Sequence, residues 1–289
     1  MIVSIKNEHL VVDFSTKGAE LQRIMGTDSE VNYMWSGDAN FWGKFSPVLF
    51  PIVGAFKDNT YFYKGKPYHL SRHGFARDME FSYEKLSATE IAFKLRHNEE
   101  TLKNYPFEFE LSLKYQLQGA SLQCTYQVSN PSNHQLIFSI GGHPAFAAPL
   151  NREGVYTDYY LQFDNDDELT FHHIIDNLVS DQTTTLKLND KIFPLKHELF
   201  YEDALVFKNL KSKHIRLLNT KNYNGLNFHF EDFPYFGIWA AKDADFVCLE
   251  PWCGIADAIN HNQQLEDKEG MEKLEGGQTW ERSWKICCF

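Results

Sequence analysis

The stretch Phe107-Glu108-Phe109-Glu110-Leu111-Ser112-Leu113-Lys114-Tyr115-Gln116-Leu117, then the turn signal Gln118-Gly119-Ala120, then Leu122-Gln123-Cys124-Thr125-Tyr126-Gln127-Val128, decides the fold class. Polar and apolar side chains alternate on both sides of the glycine. A period of two puts successive side chains on opposite faces of a pleated strand, whereas a helix needs a period of about 3.6. The same habit spreads outward to Glu8 to Phe14, Glu90 to Leu95, His214 to Leu218 and Phe246 to Leu249. Between such stretches sit turn signals, among them Asp58-Asn59, Lys64-Gly65-Lys66-Pro67, Ser129-Asn130-Pro131-Ser132-Asn133 and Asn222-Tyr223-Asn224-Gly225. Roughly twenty candidate strands at short spacing are the mark of a sandwich or barrel.

Helical patterns are few. Asp38 to Trp42, Glu99 to Tyr105 and Glu198 to Tyr201 each have room for a turn or two. The charged stretch His261 to Gly277 reads as a surface loop, and Trp280 to Ile286 as an alternating strand after it. No linker rich in Gly, Ser or Pro divides the chain. The expectation is one large all-β domain over residues 1–289, with two smaller sandwiches as the alternative.

Of the 289 residues 43% are hydrophobic, and 24 Phe and 14 Tyr supply ample apolar surface for a large core. The formal net charge of −11 weighs against nucleic-acid and anionic-membrane partners, which need a positive field. No run approaches the ~20 apolar residues that span a bilayer, and Met1-Ile2-Val3-Ser4-Ile5 runs straight into alternating polar and apolar residues with no basic stretch followed by a long apolar segment, so a cytoplasmic location is expected. The five cysteines include the adjacent Cys287 and Cys288 and show no Cys-x-x-Cys spacing, which argues for unpaired thiols. The oligomeric state is not legible.

Three segments carry candidate chemistry. His143 follows Gly141-Gly142 and precedes Pro144, at the broken end of an apolar run, where its ring can point into a cleft or serve as a core histidine. Glu250 ends the run Phe246 to Leu249 before Pro251-Trp252. Nearby apolar surface would raise its pKa and strengthen it as a base, unless it is an edge glutamate paired with a surface lysine. Trp252 offers a flat face to a sugar ring. His73 lies between Arg72 and Arg77, two guanidinium groups able to bind phosphate, carboxylate or hydroxyls, or to pair with Asp78 or Glu80. Asp203 precedes another strand and is a lesser candidate. His172 and His173 alternate faces on a strand and cannot easily share a metal ion. A zinc site from His73, His143 and Glu250 is a minor reading. No Gly-x-Ser-x-Gly elbow, phosphate-cradling Gly-Lys-Ser/Thr loop or His-Glu-x-x-His occurs.

These segments resemble the galactose mutarotase (aldose 1-epimerase) superfamily, most closely its LacX-like bacterial branch. The matching segments are Gly18-Ala19-Glu20-Leu21, Ser46 to Gly54, His73-Gly74-Phe75-Ala76-Arg77-Asp78, Gly142-His143-Pro144-Ala145-Phe146, Asp203 to Phe207 and Glu250 to Asp257. The resemblance implies a large antiparallel β-sandwich of the mutarotase supersandwich type, with a sugar bound across one sheet. It implies His143 as the acid that protonates the ring oxygen and Glu250 as the base on the anomeric hydroxyl. It further implies His73 and Asp203 as sugar-binding residues, and neither cofactor nor metal. One position departs from the pattern: Ala55 stands where the family commonly carries an arginine, and Arg77 or Arg72 is left to supply a cation. A charged hydrogen bond is worth about 1.5–3 kcal/mol, enough to change substrate preference. The alternatives are therefore a hexose-6-phosphate mutarotase using Arg72 and Arg77, and a sugar-binding protein of weak turnover.

Overall fold

The computed structural model describes residues 1–289. The opening stretch forms two strands, Glu110–Gln118 and Ser121–Ser129, in antiparallel register with Leu117 opposite Leu122 and Tyr115 opposite Cys124. Gly119, at φ +55°, makes the turn between them. Leu111, Leu113, Tyr115 and Leu117 of the first strand and Leu122, Cys124, Tyr126 and Val128 of the second are all buried, so the alternation does place one apolar face inward.

These strands lie within a nine-stranded antiparallel sheet that runs from Ile192–Pro194 at one edge to Ser82–Lys85 at the other. Thr279–Cys288 sits inside it, between Leu226–His229 and Ser121–Ser129. An eight-stranded sheet contains Leu178–Lys187, Glu168–Ile175, Leu205–Phe207, Tyr235–Trp239, Phe246–Cys253, Ile140–Gly142, Val48–Leu49 and Ala145–Ala147. Residues of both sheets join one apolar cluster of 72 buried side chains, rich in Phe and Tyr. The architecture is the expected large antiparallel β-sandwich. No helix is long and apolar enough to cross a membrane.

Local expectations fare unevenly. Glu99–Asn104 is a short α-helix, started by the Asn98 side chain accepting from Glu100 N and Thr101 N. His197–Phe200 is a single 3-10 turn. Asp38 to Trp42 closes only a turn, in which Phe41 N and Trp42 N both donate to Asp38 O. The strand expected from Glu8 starts at Leu10, because Asn7 Oδ1 accepts from His9 N and Leu10 N and turns the chain there. The stretch 261–277 is more than a surface loop. Its strand Glu272–Leu274 pairs with Leu136–Phe138, and Leu265 and Lys268 are buried.

Phe246–Cys253 is the strand that positions the site. On one side it pairs with Tyr235–Trp239, Gly237 opposite Glu250. On the other it meets two short strands in one continuous register, Gly141 opposite Trp252 and Ala145 opposite Cys248. The gap between them falls at His143 and Pro144, opposite Glu250. Proline has no N–H to offer the ladder, so the strand breaks there while its register is kept.

Candidate active site

That break brings the two titratable groups together. His143 Nε2 lies 3.3 Å from Glu250 Oε2. Both side chains are buried, Glu250 at 1% exposure and His143 at 8%. An edge glutamate serving a surface lysine is thereby excluded. They line a cavity of about 450 Å³ together with His73, Arg72, Arg77, Asp203 and Trp252, so all six residues singled out from sequence, and Arg72, converge on one cleft. The volume is within the roughly 300–1,000 Å³ common for small-molecule sites.

Burial sets the protonation of the pair. It pushes the Glu250 carboxyl well above the usual carboxylate range, with Arg72 opposing and Asp203 adding to the rise. It pushes His143 down to about 3, and Arg72 contributes in the same direction. Burial therefore favours the neutral form of both groups. The ionic form, carboxylate beside imidazolium, differs from this only by the transfer of one proton between them. Buried polar atoms without a partner cluster here: His143 Nδ1, Glu250 Oε2, Trp252 Nε1 and Arg77 Nε. Buried polar atoms are normally satisfied, so such a concentration singles out this cleft as the candidate site.

His73 occupies the left-handed region at φ +70°, uncommon for a residue with a side chain. Its N–H donates to Gly54 O at 2.8 Å and its Nδ1 accepts from Gly54 N at 3.1 Å. Its ring centroid is 5.9 Å from that of His143. Burial, followed by the Arg72 charge, holds it well below its ordinary pKa. Arg72 spans the rim, donating from Nη1 to Asn177 Oδ1 at 2.8 Å and from Nη2 to Asp203 Oδ1 at 3.3 Å. Arg77 Nη2 donates to Arg72 O at 2.9 Å. Ala55 is buried, lies outside the cavity lining and accepts through its carbonyl from Asp257 N, while both candidate arginines face the cleft.

Trp252 lines the cleft but exposes little of its flat face. Only 6% exposed, its indole lies against Gly141 and Gly237, each of which would collide with the ring if it carried a Cβ. It floors the cavity. The open aromatic surfaces belong to residues that sequence reading missed. Trp42 stacks on the His143 ring at 4.9 Å and 27°, Trp239 meets it edge-on at 5.5 Å, and Tyr201 is 46% exposed at the rim. Lys242 adds a third cation to the lining. The single available signal was aromatic residues beside turn patterns, as in Phe41-Trp42 and Phe200-Tyr201.

His73 is not among the side chains whose ligand atoms gather closely enough to share a metal ion. The group whose ligand atoms do lie within 4.8 Å of one another is His143, Cys248 and Glu250.

With this geometry in view, the family described as Aldose 1-epimerase matches the chain over residues 1–280. Protein LacX, chromosomal, from Lactococcus lactis subsp. lactis is 33% identical, across 99% of both chains. The galactose mutarotase related enzyme from Lactobacillus acidophilus has a similar structure, with TM-score 0.95, 34% identity, 100% of this chain and 97% of that one covered. A galactose mutarotase-like protein from Lactobacillus casei follows at TM-score 0.91 and 27% identity, all of both chains covered.

Proposed function

The chain belongs to the aldose 1-epimerase family and is an isomerase of the mutarotase type, and from that premise we propose that it interconverts the α and β anomers of a hexose through His143 and Glu250. The observation that carries this is their 3.3 Å approach within a buried cleft. Sugar binding moves a proton from Glu250 to His143; the Arg72 charge stabilises the carboxylate so formed and disfavours the imidazolium, so binding itself drives the transfer. Glu250 then takes the proton of the anomeric hydroxyl while His143 delivers its own to the ring oxygen. The C1–O5 bond breaks, the C1 aldehyde forms, and the pair returns to its neutral state. Rotation about C1–C2 and reversal of both transfers closes the ring from the other face. His73 and Asp203 hold hydroxyls, and Trp42, Trp239 and Trp252 exclude water. A positioned acid or base contributes typically 10²–10⁴-fold.

The test is the optical-rotation decay of freshly dissolved α-galactose and α-glucose. Rates above the buffer blank are expected, with loss in Glu250→Gln and His143→Asn. Should every hexose tested, free, phosphorylated or in a disaccharide, decay at the blank rate, the enzyme reading fails.

A second reading, a hexose-6-phosphate substrate, is favoured by three cations, Arg72, Arg77 and Lys242, in one lining. It requires phosphorylated hexose to be preferred and that preference to fall in Arg77→Ala. Weak turnover had Ala55 as its sole support, and that side chain is outside the cavity lining.

A further inference from the structure

Behind the cleft lies a buried ion pair with no direct part in the proton transfers. Lys268 Nζ donates to Asp257 Oδ1 at 2.9 Å, and both side chains are completely buried. The ammonium also lies 4.9 Å from the centroid of the Phe56 ring. Asp257 Oδ2 accepts from Lys57 N at 2.9 Å, and its own N–H donates to Ala55 O at 2.9 Å. Its carbonyl accepts from Val179 N, which ties the same residue to the eight-stranded sheet. Asp257 thus clasps both ends of the segment Ala55–Lys57 from behind. The residue just before that segment, Gly54, grips His73 from the front, through both its N–H and its carbonyl.

His73 needs such a grip because two donors compete for its ring. Gly54 N–H points at Nδ1, and Arg72 Nε–H points at Nε2, each at 3.1 Å. A neutral imidazole has one acceptor nitrogen and one N–H, so one of the two donors must yield. Arg72 ends a long side chain that is 39% exposed, whereas Gly54 is backbone held against a clasped segment. The donor that can move is Arg72.

We propose that the Lys268–Asp257 pair is a positioning device for His73: by immobilising Ala55–Lys57 it makes Gly54 N–H the fixed donor to Nδ1, so that the ring presents Nε2–H to the substrate. Lys268 and Asp257 are positioning residues, since neither lines the cleft. Arg72 leaves Nε2 when sugar oxygen arrives there. The inference rests on His73 as a sugar-binding residue, yet its chief readout needs no turnover.

That readout is the nitrogen spectrum of ¹⁵N-histidine-labelled protein, with the His73 signals identified by their loss in His73→Gln. Wild type is expected to show a bare Nδ1 and a protonated Nε2 for His73. In Lys268→Met the two tautomers mix and kcat/KM per folded molecule falls about tenfold, the worth of one hydrogen bond. Lys268→Arg, which keeps the charge, restores both. A protonated Nδ1 in wild type overturns the proposal, as does a folded Lys268→Met with the wild-type tautomer and unchanged kcat/KM. Should Lys268→Met not fold, the wild-type spectrum decides alone. If no hexose is turned over, the tautomers still report on the clasp, separately from the mutarotase reading.

Discussion

Replacing His143 by asparagine is expected to make the protein more resistant to acid while destroying its activity. The folded protein holds His143 at about 3, because burial disfavours the imidazolium, against about 6.5 in an unfolded chain. The sign follows from linkage. With a depressed folded pKa, the unfolded state binds the extra proton, so stability is intact above about pH 6.5 and is lost as the pH falls toward the folded value. Each pH unit within that window costs about 1.4 kcal/mol. At pH 4.5 the loss reaches roughly 3 kcal/mol, and at pH 7.5 it is nil. Asparagine titrates nowhere in this range, and Glu250 is common to both proteins. Thermal melts of wild type and His143→Asn at pH 7.5 and 4.5 isolate the contribution. For a chain of this size, 1 kcal/mol shifts Tm by about 2 °C. Relative to wild type, His143→Asn should therefore gain roughly 5 °C between the two pH values. Parallel curves, with the same difference at both, would refute the burial argument and with it the neutral resting pair.

Glu250→Gln is expected to lose about 10²–10⁴-fold in rate, yet to be more stable than wild type in alkaline solution. Its raised carboxyl pKa gives stability that is present below the unfolded value of about 4.3 and declines as pH rises toward the folded one, so urea titrations should diverge at pH 8 and converge at pH 4. Asp257→Leu strands the buried Lys268 ammonium and should cost about 3–5 kcal/mol in denaturant unfolding, and Asp257→Leu with Lys268→Met should recover most of it. An equal cost for the double variant would count against the pair. Gly237→Ala drives a methyl into the Trp252 ring and should cost about 1–3 kcal/mol, together with a fall in kcat/KM as the cleft floor shifts; an unchanged melt would show that the indole has room to give.

The sandwich was legible because strands such as Glu110–Gln118 bury one face only, and half-buried strands write that fact into the sequence as alternation. The site was legible residue by residue, since His143 and Glu250 each stand in a context that breaks or ends an apolar run. Their meeting was not. It depends on a register kept across the interruption at Pro144, which no local pattern encodes. Trp42 and Trp239 escaped because aromatic side chains serve cores and clefts equally, and only the folded packing distinguishes them. Lys268 escaped for the opposite reason. Charge normally signals exposure, but a lysine whose partner lies eleven residues back can be wholly buried.

The placement of Thr279–Cys288 inside the nine-stranded sheet bears on biogenesis. On a ribosome, Ser121–Ser129 and Leu226–His229 emerge well before the strand that must separate them. Until it arrives, the nascent polypeptide carries two unsatisfied edges bearing Tyr126 and Phe228, the kind of surface that holdase chaperones capture. Late insertion of a central element makes completion of this sheet depend on long-range pairing, which is slow.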